Sequence, residues 1–125
     1  MKRRYIRLGD ELPDDETVIV RGGRLDRDTL LADASRYHSI YGVFGVSVFT
    51  TRDVTVDELA QQPPLIRFET LVLTTVGELH RVDLGLEPTG RNPRHFTLVF
   101  DDLDDAVERL RRCRHQLWPN PYYEE

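Results

Sequence analysis

A chain of 125 residues is long enough for one hydrophobic core and too short for two ordinary domains. Its formal net charge of −5 excludes nucleic-acid affinity driven by total charge, while leaving room for a local basic face. A single cysteine, Cys113, excludes an intrachain disulfide, and a single lysine, Lys2, leaves no interior lysine for a Schiff base or a phosphate loop.

No apolar run approaches the roughly 20 residues of a membrane-spanning helix. The basic start of the chain lacks an apolar signal core and a small-residue cleavage site, so cytoplasmic residence is expected. Residues 5–8 suit an edge strand, and the acidic stretch 9–16 suits turns. Val18, Ile19 and Val20 form a buried-type strand broken at Gly22-Gly23. Asp26 is placed to cap a helix whose apolar stripe is Leu30, Leu31, Ala34, Tyr37 and Tyr41. Gly42 ends it, and residues 43–50 form a second strand.

Thr55 and Glu58 have capping-box spacing, with Val54 and Leu59 placed as a hydrophobic staple, and Pro63-Pro64 stops the short helix that follows. Residues 65–74 are rich in β-branched and apolar side chains and predict a central strand. A second capping box, Thr75 and Glu78, predicts a short helix ending near Gly85. After a turn-rich loop at 88–93, residues 95–100 form the last predicted strand. Leu103, Ala106, Val107, Leu110, Cys113 and Leu117 then make the apolar face of a final helix. Its ends are acidic first and basic last, as the helix dipole favours. Pro119 and Pro121 leave an aromatic and acidic tail at 118–125. The alternation predicts one compact α/β or α+β domain over 1–125, with about four to five strands in a mixed sheet and about four helices.

The chemistry concentrates near the first strands. Strict alternation would put Ile19 and Arg21 on one face, with Arg21 at the strand's carboxyl end, where open sheets bind ligands. A guanidinium there can grip phosphate or carboxylate through paired hydrogen bonds. Ser47, Phe49 and Thr51 would share a face of the next strand, with Thr50 on the other.

An Arg-Gly closing a first strand, then a helix, then an aromatic followed by two hydroxyl residues, resembles the amino-terminal half of the ADP-ribosyltransferase fold. The resemblance spans 17–51. It implies NAD as the cofactor, held by Arg21 beside Gly22, with Thr50 or Thr51 on the nicotinamide side. It also implies a catalytic glutamate, Glu69 or Glu78, that orients the ribose. The position two before each candidate glutamate is Arg67 or Val76. Separately, Pro93-Arg94-His95-Phe96-Thr97-Leu98 resembles one half of the paired histidine motif of the 2H phosphoesterases, implying acid–base work for His95. Alternation puts His95 and Thr97 on one face and Phe96, Leu98 and Phe100 on the other. The histidines and Cys113 show no zinc spacing, so no metal is expected.

Three functions follow as expectations. The first is a small cytoplasmic protein that binds a nucleotide-like ligand, ADP-ribosyltransferase-like and one member of a toxin–antitoxin or defence pair. The second is a non-catalytic interaction module, binding a protein partner or a second copy through Arg109, Arg111, Arg112, Arg114 and the tail aromatics Trp118, Tyr122 and Tyr123. The third is an RNA- or phosphodiester-processing protein using His95 with Arg21 or Arg94, while Arg91 and Arg94 could join the arginines of the last helix in a local basic face for nucleic acid.

Overall fold

Strand alternation feeds two separate cores. In β1 (Thr17–Gly22), Val18 and Val20 join a large apolar cluster and Ile19 joins a small one. β3 (Thr70–Thr75) divides the same way, Val72 to the large cluster and Leu71 with Leu73 to the small one. The computed structural model describes residues 1–125. Its remaining strands are β2 (Phe44–Thr50), β4 (Gly85–Pro88), β5 (His95–Phe100) and β6 (Gln116–Pro119). The helices are α1 (Arg27–Tyr41), α2 (Val56–Ala60), α3 (Val76–Arg81) and α4 (Leu103–Arg112).

The fold is a single α+β domain, a six-stranded sheet ordered β4-β5-β2-β1-β3-β6 with four helices. Every neighbouring pair is antiparallel. Leu30 and Ala34 of α1, Val76 and Leu79 of α3, and Ala106, Val107 and Leu110 of α4 pack into the large cluster with Val46, Val48, Phe96, Leu98 and Phe100. Leu59 and Ala60 of α2 and Leu65 of a 3-10 turn (Leu65–Arg67) close the small cluster.

The expected mixed sheet is therefore corrected to an antiparallel one. The helical excursion α1 returns the chain beside β1 in the opposite direction, pairing Val18 with Thr50 and Ile19 with Phe49. Six strands replace the expected four to five because β4 and β6 are only four residues long, too short to show a period. The predicted strand at 65–74 begins at Thr70, since the 3-10 turn occupies its first residues. The third helix stops at Arg81 rather than near Gly85, where Asp83 takes a positive φ of 56°. In the amino-terminal segment only Ile6 pairs, in an isolated bridge to Thr89.

The last helix departs most from expectation. It ends at Arg112, and Cys113 is already extended at φ −64° and ψ 151°. The Thr74 hydroxyl donates to the Arg114 carbonyl at 2.7 Å, which fastens the chain beside β3. β6 then pairs Leu73 with Gln116 and Leu71 with Trp118. Leu117 is consequently no part of a helical stripe and stands 46% exposed. The tail folds back. Buried Asn120 donates to the Ala60 and Leu65 carbonyls at 3.2 Å each, and Trp118 and Tyr122 pack on the small cluster.

The side chains expected at the helix starts do cap them, but neither Glu58 nor Glu78 returns the reciprocal bond of a capping box. Asp26, Thr55 and Thr75 each accept a hydrogen bond from the amide three residues on. Gly42, at φ 81°, closes α1 in the left-handed region and donates to the His38 carbonyl.

Candidate functional site

A β-bulge decides where Arg21 goes. β1 pairs Ile19 with Leu73 but Arg21 with Val72, so Val20 is the extra residue. Arg21 thereby leaves the face of Ile19 and turns to the side of Val72. This corrects the strict alternation expected of β1. Val20 and Arg21 together form one wall of a groove of about 400 Å³. Facing them across it are Asp33, Arg36, Tyr37 and Ile40 of α1, with Ser47 from β2. Residues 33, 36, 37 and 40 recur at helical spacing, so α1 presents one continuous stripe to the groove.

The electrostatics of this groove are unbalanced. Asp33 accepts a hydrogen bond from Arg36 at 3.1 Å through one carboxylate oxygen. Its other oxygen lies 3.7 Å from Nη1 of Arg21, an ion-pair distance too long for a hydrogen bond. Nε of Arg21 donates to the Gly22 carbonyl at 2.8 Å. Nη1 is buried and has no hydrogen-bond partner. One carboxylate thus serves two guanidinium groups, and the groove keeps a surplus positive charge within a chain of net charge −5. Arg4 and Arg52 also carry a buried nitrogen without a hydrogen bond, but carboxylates of Glu87 and Asp10 lie 3.0 and 3.1 Å from them. Arg94 Nε is the remaining case, beside a smaller cavity of about 180 Å³.

The other sequence candidates lie elsewhere. Because β1 and β2 are antiparallel, Thr50 and Thr51 stand beside Val18 and Thr17, at the opposite end of the sheet from Arg21. Thr50 is fully buried, and its amide donates to the Arg94 carbonyl at 2.8 Å. The Thr51 hydroxyl donates to Glu16 at 2.9 Å. Gly22 is buried under the Phe68 ring, which a Cβ would overlap. Glu69 is exposed, and its carbonyl accepts from the Asn120 amide.

Glu78 lines a second groove, of about 480 Å³, with Thr17, Thr75, Arg114, His115 and Trp118. That trough lies at the Thr51 end, and none of its lining residues has a buried polar side-chain atom without a partner. The structure therefore brings Thr51 and Glu78 to one end of the sheet, and Arg21 and Glu69 to the other.

His95 and Thr97 share a face, with Phe96, Leu98 and Phe100 in the large core on the other. His95 Nδ1 lies 3.0 Å from the Thr89 carbonyl and 3.1 Å from the Thr89 hydroxyl. No second histidine faces it; its ring packs edge-on against Phe49. No group of three or more His, Cys, Asp or Glu residues is placed to hold a metal ion.

Part of the arginine-rich last helix is occupied internally. Arg109 binds Asp101, Asp105 and the carbonyls of Val82 and Asp83, while Arg111 binds Glu108 and the Leu25 carbonyl. Arg112 and Arg114 are exposed.

Asp33, Arg36 and Ile40 are not among the site residues the sequence suggests, and Tyr37 reads there as part of the apolar stripe of α1. The polar members of the 33, 36, 37, 40 stripe were the available signal. Nothing in the sequence marked the bulge. No helix is long and apolar enough to cross a membrane. The chain matches no family model, no curated protein and no solved structure.

Proposed function

We propose that this chain binds a small anionic, nucleotide-like ligand in the Arg21 groove. The observation that carries the proposal is the charge of the groove lining, two guanidinium groups, Arg21 and Arg36, sharing the single carboxylate of Asp33 around a ligand-sized space. A volume of about 400 Å³ lies within the range of small-molecule sites. A phosphate or carboxylate between Arg21 and Arg36 would neutralise the surplus charge. Leu30, Ile40 and Val46 offer an apolar wall to the rest of the ligand.

The proposal is one of binding and not of group transfer. Thr50, Thr51, Glu69 and Glu78, the residues that the ADP-ribosyltransferase resemblance assigns to nicotinamide and ribose, line no wall of this groove.

Thermal unfolding with AMP, ADP, NAD and inorganic phosphate tests it. A ligand at a hundredfold its dissociation constant stabilises by about 2.7 kcal/mol, a shift of several degrees in a domain this size. Stabilisation by at least one nucleotide, abolished in Arg21→Gln, is expected. A folded wild-type protein that none of these compounds stabilises contradicts the proposal.

A further inference from the structure

A chain of hydroxyl groups runs from the Arg21 groove to His95. Tyr37 Oη lies 3.0 Å from Thr97 Oγ1, and Thr97 Oγ1 lies 2.7 Å from Thr89 Oγ1. Thr89 Oγ1 lies 3.1 Å from His95 Nδ1, which is also 3.0 Å from the Thr89 carbonyl oxygen. Thr97 and Thr89 are buried, at 0% and 4% exposure, so water cannot serve their hydroxyl protons.

The carbonyl fixes the direction of this chain. A carbonyl oxygen only accepts, so a hydrogen bond to the Thr89 carbonyl requires the tautomer with its proton on Nδ1 of His95, shared between the Thr89 carbonyl and hydroxyl oxygens. The Thr89 hydroxyl proton then has one acceptor, Thr97 Oγ1, and the Thr97 proton has one acceptor, Tyr37 Oη. Each hydroxyl has a single proton, so the Tyr37 proton is the one left over. Tyr37 is also the chain's member in the wall of the Arg21 groove.

We infer that Tyr37 is a fixed hydrogen-bond donor in that groove, and that the group it meets is an acceptor oxygen of the ligand. This rests on the reading of the groove as a ligand site and narrows it. The ligand presents an anionic oxygen to Arg21 and an acceptor oxygen to Tyr37, as a phosphate monoester does. A group with only donors, such as an ammonium, is refused at both contacts. Tyr37 is thus a specificity-determining residue, and Thr97 and Thr89 are positioning residues acting through it.

Two measurements separate this inference from the reading it rests on. Long-range nitrogen–proton NMR of the ligand-free protein at neutral pH reports the His95 tautomer. Protonation at Nδ1 is expected, and a bare Nδ1 overturns the direction of the chain whatever the groove binds. Calorimetric titration with AMP then compares wild type, Tyr37→Phe and Arg21→Gln. Tyr37→Phe is expected to weaken AMP roughly tenfold or more, as loss of a hydrogen bond to a charged acceptor does. If Arg21→Gln abolishes binding while Tyr37→Phe binds as wild type does, the groove stands and the donor role falls. No binding of AMP by the wild type overturns both the groove as a phosphate-monoester site and the Tyr37 contact in it.

Discussion

Single residues here are held by specific partners, and their removal has defined consequences. Asp26 accepts from both the amide and the hydroxyl of Thr29, at 3.0 and 2.8 Å. The amide bond, followed by the hydroxyl bond, holds its carboxyl below the ordinary carboxylate range. A pKa lowered on folding adds stability that is present above the unfolded pKa and lost as pH falls through the folded one. Asp26→Asn keeps a capping side chain but cannot titrate. Its melting temperature should therefore fall less than that of wild type on acidification below about pH 4. An unchanged acid slope would contradict the capping assignment. Gly22 makes a steric prediction. Since a Cβ there overlaps the Phe68 ring, Gly22→Ala should destabilise by about 1–3 kcal/mol in urea unfolding. The cost should shrink markedly in a Phe68→Ala background. Additive costs would show that the ring is not the obstacle. Thr97→Val leaves the buried Thr89 proton without an acceptor and should cost about 1–3 kcal/mol.

At the scale of elements, short pieces do much of the closing. β6 and the tail cover the small core, and the Asn120 side chain bridges the Ala60 and Leu65 carbonyls and accepts from the Tyr122 amide. Asn120→Ala removes all three bonds at once, although the Leu65 carbonyl keeps its bond from the Phe68 amide. We expect a loss of about 1–3 kcal/mol, with fast amide exchange appearing first in β6 and α2. Uniform exchange across the sheet would contradict a separately closed small core. The caps of α1, α2 and α3 were legible in the sequence because they depend on residues three apart. So was the facing of β5, where a strict period of two survives. The bulge at Val20 was not legible, because it depends on the partner strand's register. Nor was the end of α4. Cys113 and Leu117 fit its helical stripe in sequence, yet pairing with β3 and partial burial of Trp118 on the small cluster compete with helix continuation and win. The same limits apply to the groove. Arg21 stood out in the sequence as a charge ending an apolar strand, whereas its neighbours come from α1 and β2, and only the folded topology brings them together.

For the whole molecule, the balance of charge matters most. A net charge of −5 repels anions at long range, yet the Arg21 groove carries a local surplus of positive charge. Ligand affinity should fall as salt rises from about 0.05 to 0.5 M, because an exposed Arg36 is screened while a largely buried Arg21 is less so. The large core also encloses Cys113. Burial pushes its thiol pKa up, with the Thr74 hydroxyl opposing and the Glu78 charge adding. Thiol reagents at neutral pH should modify the native protein slowly and the unfolded chain quickly. Rapid modification of the native protein would mean that this end of α4 opens.

The central claim is that Arg21 and the α1 stripe form the ligand site. Amide and side-chain NMR shifts of the labelled protein during an AMP titration test it most directly. Perturbations should cluster at Arg21, Asp33, Arg36, Tyr37 and Ser47, with a saturable dependence that Arg21→Gln removes. A saturable cluster around Thr75, Glu78, His115 and Trp118 instead, or no saturable change anywhere, would contradict it.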